Sequence, residues 1–169
     1  MADSLAHDAV AQGDDDAIRA ILAEVCALTQ MGFAAVARVT EHRWIACQVL
    51  DRIEFGLDPG DELKIHETIC DEIRQSGQGI IIDEVGADPE WQRHPVPIIY
   101  GFESYVSIPI VLDDGSFYGT LCAIDPEPRK VNVVETVELL KGFAEQVARI
   151  ISRAISEETP SLQSGTGSQ

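Results

Sequence analysis

Four cysteines and four histidines are the side chains of this sequence with the most obvious chemistry. Cys26, Cys47, Cys70 and Cys122 are scattered, with no C-x-x-C pair and no metal-ligand spacing. Cys26, Cys47 and Cys122 stand in apolar surroundings, where a thiol serves as a small hydrophobe. Cys70 has Glu67, Asp71 and Glu72 beside it, and negative neighbours favour the thiol over the nucleophilic thiolate. A structural role therefore outweighs a reactive one. No two histidines are spaced as a metal-binding pair. His94, between Arg93 and Pro95, can hydrogen-bond a ligand carboxylate or carbonyl and has an ordinary pKa of about 6.5. It fits a loop-packing role equally well. His66 precedes an acidic helix start and reads as a surface or capping residue.

Trp91, Tyr100, Phe102 and Tyr105 gather in the same stretch as His94. Aromatic rings with polar tips suit a small-molecule pocket with a few hydrogen bonds, and they suit an ordinary core beneath a long loop. Phe102 and Trp91 lean towards the core, Tyr100 and Tyr105 towards pocket lining. The candidate ligand contacts are Trp91, His94, Tyr100, Tyr105, Cys70 and Cys122, with no catalytic residue and no metal ligand.

Charge narrows the function classes. There are 29 acidic against 12 basic side chains, a formal net charge of −17. Nucleic acid binding needs Lys and Arg to displace counterions from phosphates, and anionic membranes attract basic segments. A field of this sign opposes both. It favours solubility or a partner with a basic patch. With 169 residues the chain is long enough for one domain with a real core. No apolar stretch approaches the ~20 residues that span a bilayer, and no basic-then-apolar leader opens the sequence. The expectation is a soluble protein of the reducing cytoplasm.

These residues must be positioned by elements that the pattern predicts in order. Residues 1–13 are polar and poor in core-formers, which predicts a flexible segment ahead of a domain at 14–158. Asp14, Asp15 and Asp16 supply a cap and an acidic first turn. Behind them Ile18, Ile21, Leu22, Val25 and Leu28 recur at helical spacing, predicting a helix over 15–30. Phe33–Thr40 and Trp44–Leu50 read as strands joined by a turn at 41–43. A polar connector over 51–65 contains the turn signal Asp58-Pro59-Gly60. Glu67–Gln75 predicts a short helix, Ile80–Ile82 a buried strand, and 83–103 an irregular, proline-broken segment. Tyr105–Leu112 and Phe117–Ile124 flank Asp113-Asp114-Gly115, the clearest hairpin. Pro109 lacks a ladder N–H and belongs at an edge or bulge, while Gly119 marks a bulge or a close approach. A long helix over 133–158 follows, then a low-complexity tail at 159–169 that need not fold.

Residues 107–126, SIPIVLDDGSFYGTLCAIDP, resemble the signature hairpin of GAF domains: a small residue and Pro on one strand, a D-G turn, then G-x-L and a late Asp. Residues 67–105 are similar to a GAF subgroup found in bacterial sensor kinases and cyclase-type signalling proteins. Together these cover most of 15–155. The resemblance implies an α+β, GAF-like antiparallel sheet of about five to six strands with N- and C-terminal helices packed on one face. The element order supports that layering independently. It also implies a small cavity between one sheet face and segment 83–104, and a signalling role rather than catalysis. Bilin-binding members carry a Cys-His pair before the "PI" strand, where this sequence has Gln92-Arg93-His94. Free-methionine-sulfoxide reductases carry clustered redox cysteines, where this sequence has TICDE at 68–72 and no cysteine over 83–104. The N-K…F…D-E signature of cyclic-nucleotide binders is not found in order. A redox-active GAF enzyme using Cys70 or Cys122 and a ligand-free interaction scaffold are the alternatives to a small-ligand sensor. No particular cofactor is indicated.

The last helix carries a heptad seam, Val133, Val137, Leu140, Ala144, Val147, Ile151 and Ala154. Val134, Phe143, Ile150 and Ile155 widen it beyond the single face that packing on one sheet requires. The expectation is a homodimer through Val137, Leu140, Ala144, Val147 and Ile151, with output delivered to a partner such as a histidine kinase or cyclase. The alternative is a helix buried wholly within its own domain.

Overall fold

Asp15 starts the first long helix as its sequence position predicts. Its carboxylate accepts from the N–H groups of Ala17 at 2.8 Å and Ile18 at 3.2 Å, satisfying two donors that a helix leaves unpaired. This helix, α2 (Asp16–Thr29), ends on Gln30, whose left-handed conformation returns its N–H to the carbonyl of Cys26. The computed structural model describes residues 4–63, 70–89, 91 and 101–167; the side chains of 70, 71 and 158–167 lie outside the description.

The strands are β1 (Phe33–Val39), β2 (Trp44–Asp51), β3 (Glu62–Leu63), β4 (Ile80–Ile82), β5 (Ser104–Val111) and β6 (Phe117–Asp125). They form one six-stranded sheet in the order β3-β2-β1-β6-β5-β4, every neighbouring pair antiparallel. A short helix, α3 (Cys70–Ser76), precedes β4, and α4 (Val134–Gly167) closes the chain. The expected α+β sheet is present. β3, a two-residue strand on Trp44 and Ile45, lies inside the predicted connector.

Side-chain alternation splits the core into two clusters. Ala34, Val36, Ile45, Cys47, Val106, Ile108 and Ile110 point to the face that carries the helices. There they meet Ile18, Ile21, Leu22 and Val25 of α2 and Leu140, Ala144, Val147 and Ile151 of α4. Phe33, Ala35, Ala37, Trp44, Ala46, Tyr105, Cys122 and Ile124 point the other way, under α3 and the irregular segments.

Both strand irregularities of the hairpin have visible causes. β4 reaches only as far as Ser107, so Pro109 lies where β5 has become an edge and its missing N–H costs no ladder bond. Gly119 pairs with Arg38, and a Cβ there would lie 1.8 Å from the Ala37 carbonyl oxygen. The close approach is by a neighbouring strand, with a bulge beside it between Ile110 and Val111.

Three expectations are corrected. The segment expected to be flexible contains α1 (Ser4–Gly13), which packs on β2. Short side chains hold it rather than apolar bulk: Ala9 is buried, and a Cβ on Gly13 would stand 2.7 Å from that of Cys47. Tyr118 donates to Gln12 Oε1 at 2.6 Å and Gln48 Nε2 to the Gly13 carbonyl at 3.1 Å. The backbone of 159–167, expected as an unfolded tail, continues α4, because adding residues to a nucleated helix costs far less than starting one. Finally, Leu140, Ala144, Val147 and Ile151 are buried inside this single chain, and Val137 is half-buried. The sheet and α2 cover the first four, so in this fold those four face the chain's own core rather than a second chain, and Val137 alone stays partly open.

Candidate functional site

The face away from the long helices is built from unusually short side chains. Alternate residues of β1 and β2 place Ala35, Ala37 and Ala46 there, and β5 and β6 add Ser107, Thr120 and Cys122. Thr120 Oγ1 lies 2.9 Å and Ser107 Oγ 3.5 Å from Cys122 Sγ, a buried polar trio on an otherwise apolar floor. Larger side chains wall it. Phe102 and Tyr105 stack with centroids 5.1 Å apart, Phe33 meets Phe55 at 5.0 Å, and Trp91, Val85, Leu57 and Ile73 close over the margins.

Two loops hold these walls. After β2 the chain turns around Asp51, whose carboxylate accepts from Ile53 N–H at 3.2 Å, Phe55 N–H at 3.0 Å and Gly56 N–H at 2.8 Å. Partial burial pushes the Asp51 carboxyl up, but the N–H donors of Gly56, Phe55, Ile53 and Leu57 together outweigh it and leave the group below its ordinary value. Glu54 and Gly56 take positive φ within this turn, at 55° and 93°. On the opposite side Val85 N–H donates to the Glu103 carbonyl at 2.7 Å, and Trp91 N–H to that of Asp88 at 3.2 Å.

An open depression of about 490 Å³ lies between the Asp51 turn, Phe102 and the end of β6, lined by Phe55, Leu57, Leu63, Phe102 and Ile124 and by the acidic residues Glu54 and Asp125. A second hollow of about 650 Å³ lies between residues 81–89 and 128–132 and is edged by charged groups, including Asp83, Asp88, Arg129 and Lys130. Both hollows are open and mixed in polarity; the first carries the aromatic rings that small-molecule sites favour, the second more charged groups.

Of the candidate ligand contacts, the structure brings Trp91, Tyr105 and Cys122 onto this one face. Cys70 is the first residue of α3, with its side chain outside the description. His94 and Tyr100 lie outside the described residues. The sequence reading missed Ser107 and Thr120, although strand alternation from Cys122 marks Thr120 directly. It also missed Phe55 and Leu57, isolated apolar residues in a connector that read as polar.

The other described cysteines sit on the helix side of the sheet. Burial pushes the Cys47 thiol up to about 11, with hydrogen bonding to Tyr118 and the charge of Arg38 opposing it weakly. Burial also raises Cys26, against the pull of Arg52. Among the described residues no His, Cys, Asp and Glu gather as a metal site, and no helix is long and apolar enough to cross a membrane.

Solved structures share this fold at low identity. The GAF-B domain of DevS from Mycobacterium smegmatis is 17% identical with a TM-score of 0.62, covering 83% of this chain and 94% of that one. The blue-light absorbing form of the Thermosynechococcus elongatus PixJ GAF domain is 12% identical, TM-score 0.67, covering 93% and 92%. A type II free methionine-R-sulfoxide reductase from Thermoplasma acidophilum is 11% identical, TM-score 0.61, covering 88% and 96%. Identities this low speak for the fold alone. Among curated proteins, none matches this sequence. The family model of the GAF domain matches residues 15–151, from the cap of α2 to the buried Ile151 of α4, and the chain belongs to the GAF domain family.

Proposed function

We propose that this GAF domain is a sensory and regulatory module of intracellular signalling that holds a small, largely apolar ligand on the short-residue face. The observation that carries this reading is the depression of about 490 Å³ lined by Phe55, Leu57, Phe102 and Ile124, on the side of the sheet that also carries the short residues. Its size falls in the ~300–1,000 Å³ range of small-molecule sites. The lining combines Phe55, Leu57, Phe102 and Ile124 with the carboxylates of Glu54 and Asp125, which favours an apolar ring or chain that carries a hydrogen-bond donor.

In this reading the ligand state passes along α4 to a partner such as a histidine kinase or cyclase. Self-association then uses the flank of α4 that its own core leaves free. Leu139 is 52% exposed there, beside Phe143 and Ile150, which pack partly against the core and are half-buried. A redox enzyme using Cys70 or Cys122 has less support, since Cys122 is buried with Ser107 and Thr120 against its sulfur.

Native mass spectrometry of freshly purified protein tests both parts, because it reports bound mass and oligomeric state together. The expected result is a dimer carrying a small molecule that Phe55→Ala no longer retains. A bare monomer, with no thermal stabilisation by any member of a broad panel of aromatic and heterocyclic compounds, would sink the reading.

A further inference from the structure

Asp83 directly follows β4, at the point where the chain leaves the sheet for the segment that walls the short-residue face. Its neighbours Ile82 and Val85 are buried in the cluster of that face. Its carboxylate nevertheless serves a segment 48 and 49 residues further on: Oδ1 accepts from Val131 N–H at 2.9 Å and from Asn132 N–H at 2.8 Å. The Asp83 carbonyl accepts from Arg129 N–H at 2.9 Å. Val131 is buried in the other cluster, with the long helices. The Val131 carbonyl accepts from Val133 N–H at 2.9 Å, and that of Val133 from Val137 N–H at 2.9 Å, the first turn of α4. One residue thus ties the wall of one face to the root of the helix that packs on the other.

We infer that Asp83 is the joint through which the state of the short-residue face reaches α4. The coupling to a ligand rests on the function proposed above; the joint itself does not. Both side-chain bonds converge on one oxygen, and hydrogen bonds weaken steeply as distance and angle depart from ideal. A small shift of residues 82–85 therefore loosens both together, which makes the link behave as closed or open rather than graded. When it opens, Val131 and Asn132 lose their shared acceptor and the first turn of α4 loses its anchor. Residues 85–86 are held from the other side by Glu103, through its carbonyl to Val85 N–H and its Oε1 to Gly86 N–H at 3.0 Å. The wall moves as a unit, with Asp83 at its hinge end.

Hydrogen exchange on the full chain tests this without any ligand. Asp83→Ala is expected to speed exchange at Val131, Asn132 and the first turn of α4 by about tenfold, the scale of losing one hydrogen bond to a charged acceptor. Asp83→Asn keeps an acceptor oxygen in the same place and is expected to restore protection. Val85→Ala, which loosens the wall, should speed exchange at the same amides in the wild-type background and add nothing in Asp83→Ala. Unchanged exchange over 131–137 in Asp83→Ala, an Asp83→Asn variant as disrupted as Asp83→Ala, or multiplying effects of Val85→Ala and Asp83→Ala would each overturn the joint. If Asp83→Ala does not fold, Asp83→Ser, with its shorter acceptor, is read by the same criteria. A protein that retains no ligand would defeat the functional reading and leave these outcomes as they stand.

Discussion

The two faces of the sheet are built by different rules. The helix side is filled by large aliphatic side chains that interlock across α2, β1, β5, β6 and α4, with Leu22, Val25, Leu140, Val147 and Ile151 fully buried. The opposite side has a floor of short residues, a polar trio, aromatic walls and a cover made of turns. Close-packed aliphatic layers specify one rigid arrangement. A floor of Ala, Ser, Thr and Cys under loops held by the carboxylates of Asp51 and Glu103 buries less apolar area per residue and rests more on hydrogen bonds. Aliphatic packing dominates one face, and hydrogen-bonded turns over short residues the other.

The sharpest way to break this comparison is to put a charge into the helix side. Ile151→Glu buries a carboxylate with no partner, at a cost of about 4–5 kcal/mol or more, comparable with the ~5–15 kcal/mol stability of a whole domain. Loss of cooperative unfolding by circular dichroism is expected. A well-folded monomer would instead return Ile151 to the dimer seam that its spacing first suggested. The next test compares one truncation on each face. Leu22→Ala should cost about 2–5 kcal/mol in denaturant unfolding, whereas half-buried Phe55→Ala should cost about 1–2 kcal/mol and show mainly in ligand retention. Equal losses on the two faces would erase the contrast.

Acid should open the Asp51 turn only below the ordinary carboxyl range. The Asp51 carboxyl is held below its ordinary value of 3.8, so its bonds to the 53–56 turn are complete above that pH and are lost as pH falls through the lowered value. The amide resonance of Gly56 should titrate in that acid range, and Asp51→Asn should abolish the titration. A Gly56 amide that moves near neutral pH would show that another group governs the loop. The smallest expected effect is on the thiols. With Cys47 pushed up to about 11, alkylation at pH 8 should leave it unmodified until the protein unfolds. Cys122→Ser should change unfolding free energy by less than about 1 kcal/mol and remove no reductase activity. Disappearance of such an activity in Cys122→Ser would make this side of the sheet a redox centre.

Local chemistry made much of the fold legible. Asp15 as a cap, the helical spacing behind it, the Asp114-Gly115 turn and the alternation on either side of it are decided within a few residues, so α2, β1, β2, β5 and β6 stand where the pattern puts them, within a residue or two. The same pattern could place Trp91, Tyr105 and Cys122 among candidate contacts, because each is an aromatic or thiol beside a strand or long loop. What it could not decide is what each apolar stripe packs against. Leu140, Ala144, Val147 and Ile151 repeat at heptad spacing whether a second chain or the domain's own sheet covers them, and only the position of α2 beside α4 settles that in favour of the sheet. Likewise α1 has too little apolar mass to declare itself, and it docks because Gly13 and Ala9 fit against Cys47 and β2. The Asp83 contacts to Val131 and Asn132 span 48 and 49 residues, and no local rule connects positions so far apart. Periodicity reports which face of an element is apolar; the identity of the surface that covers it is a property of the folded chain.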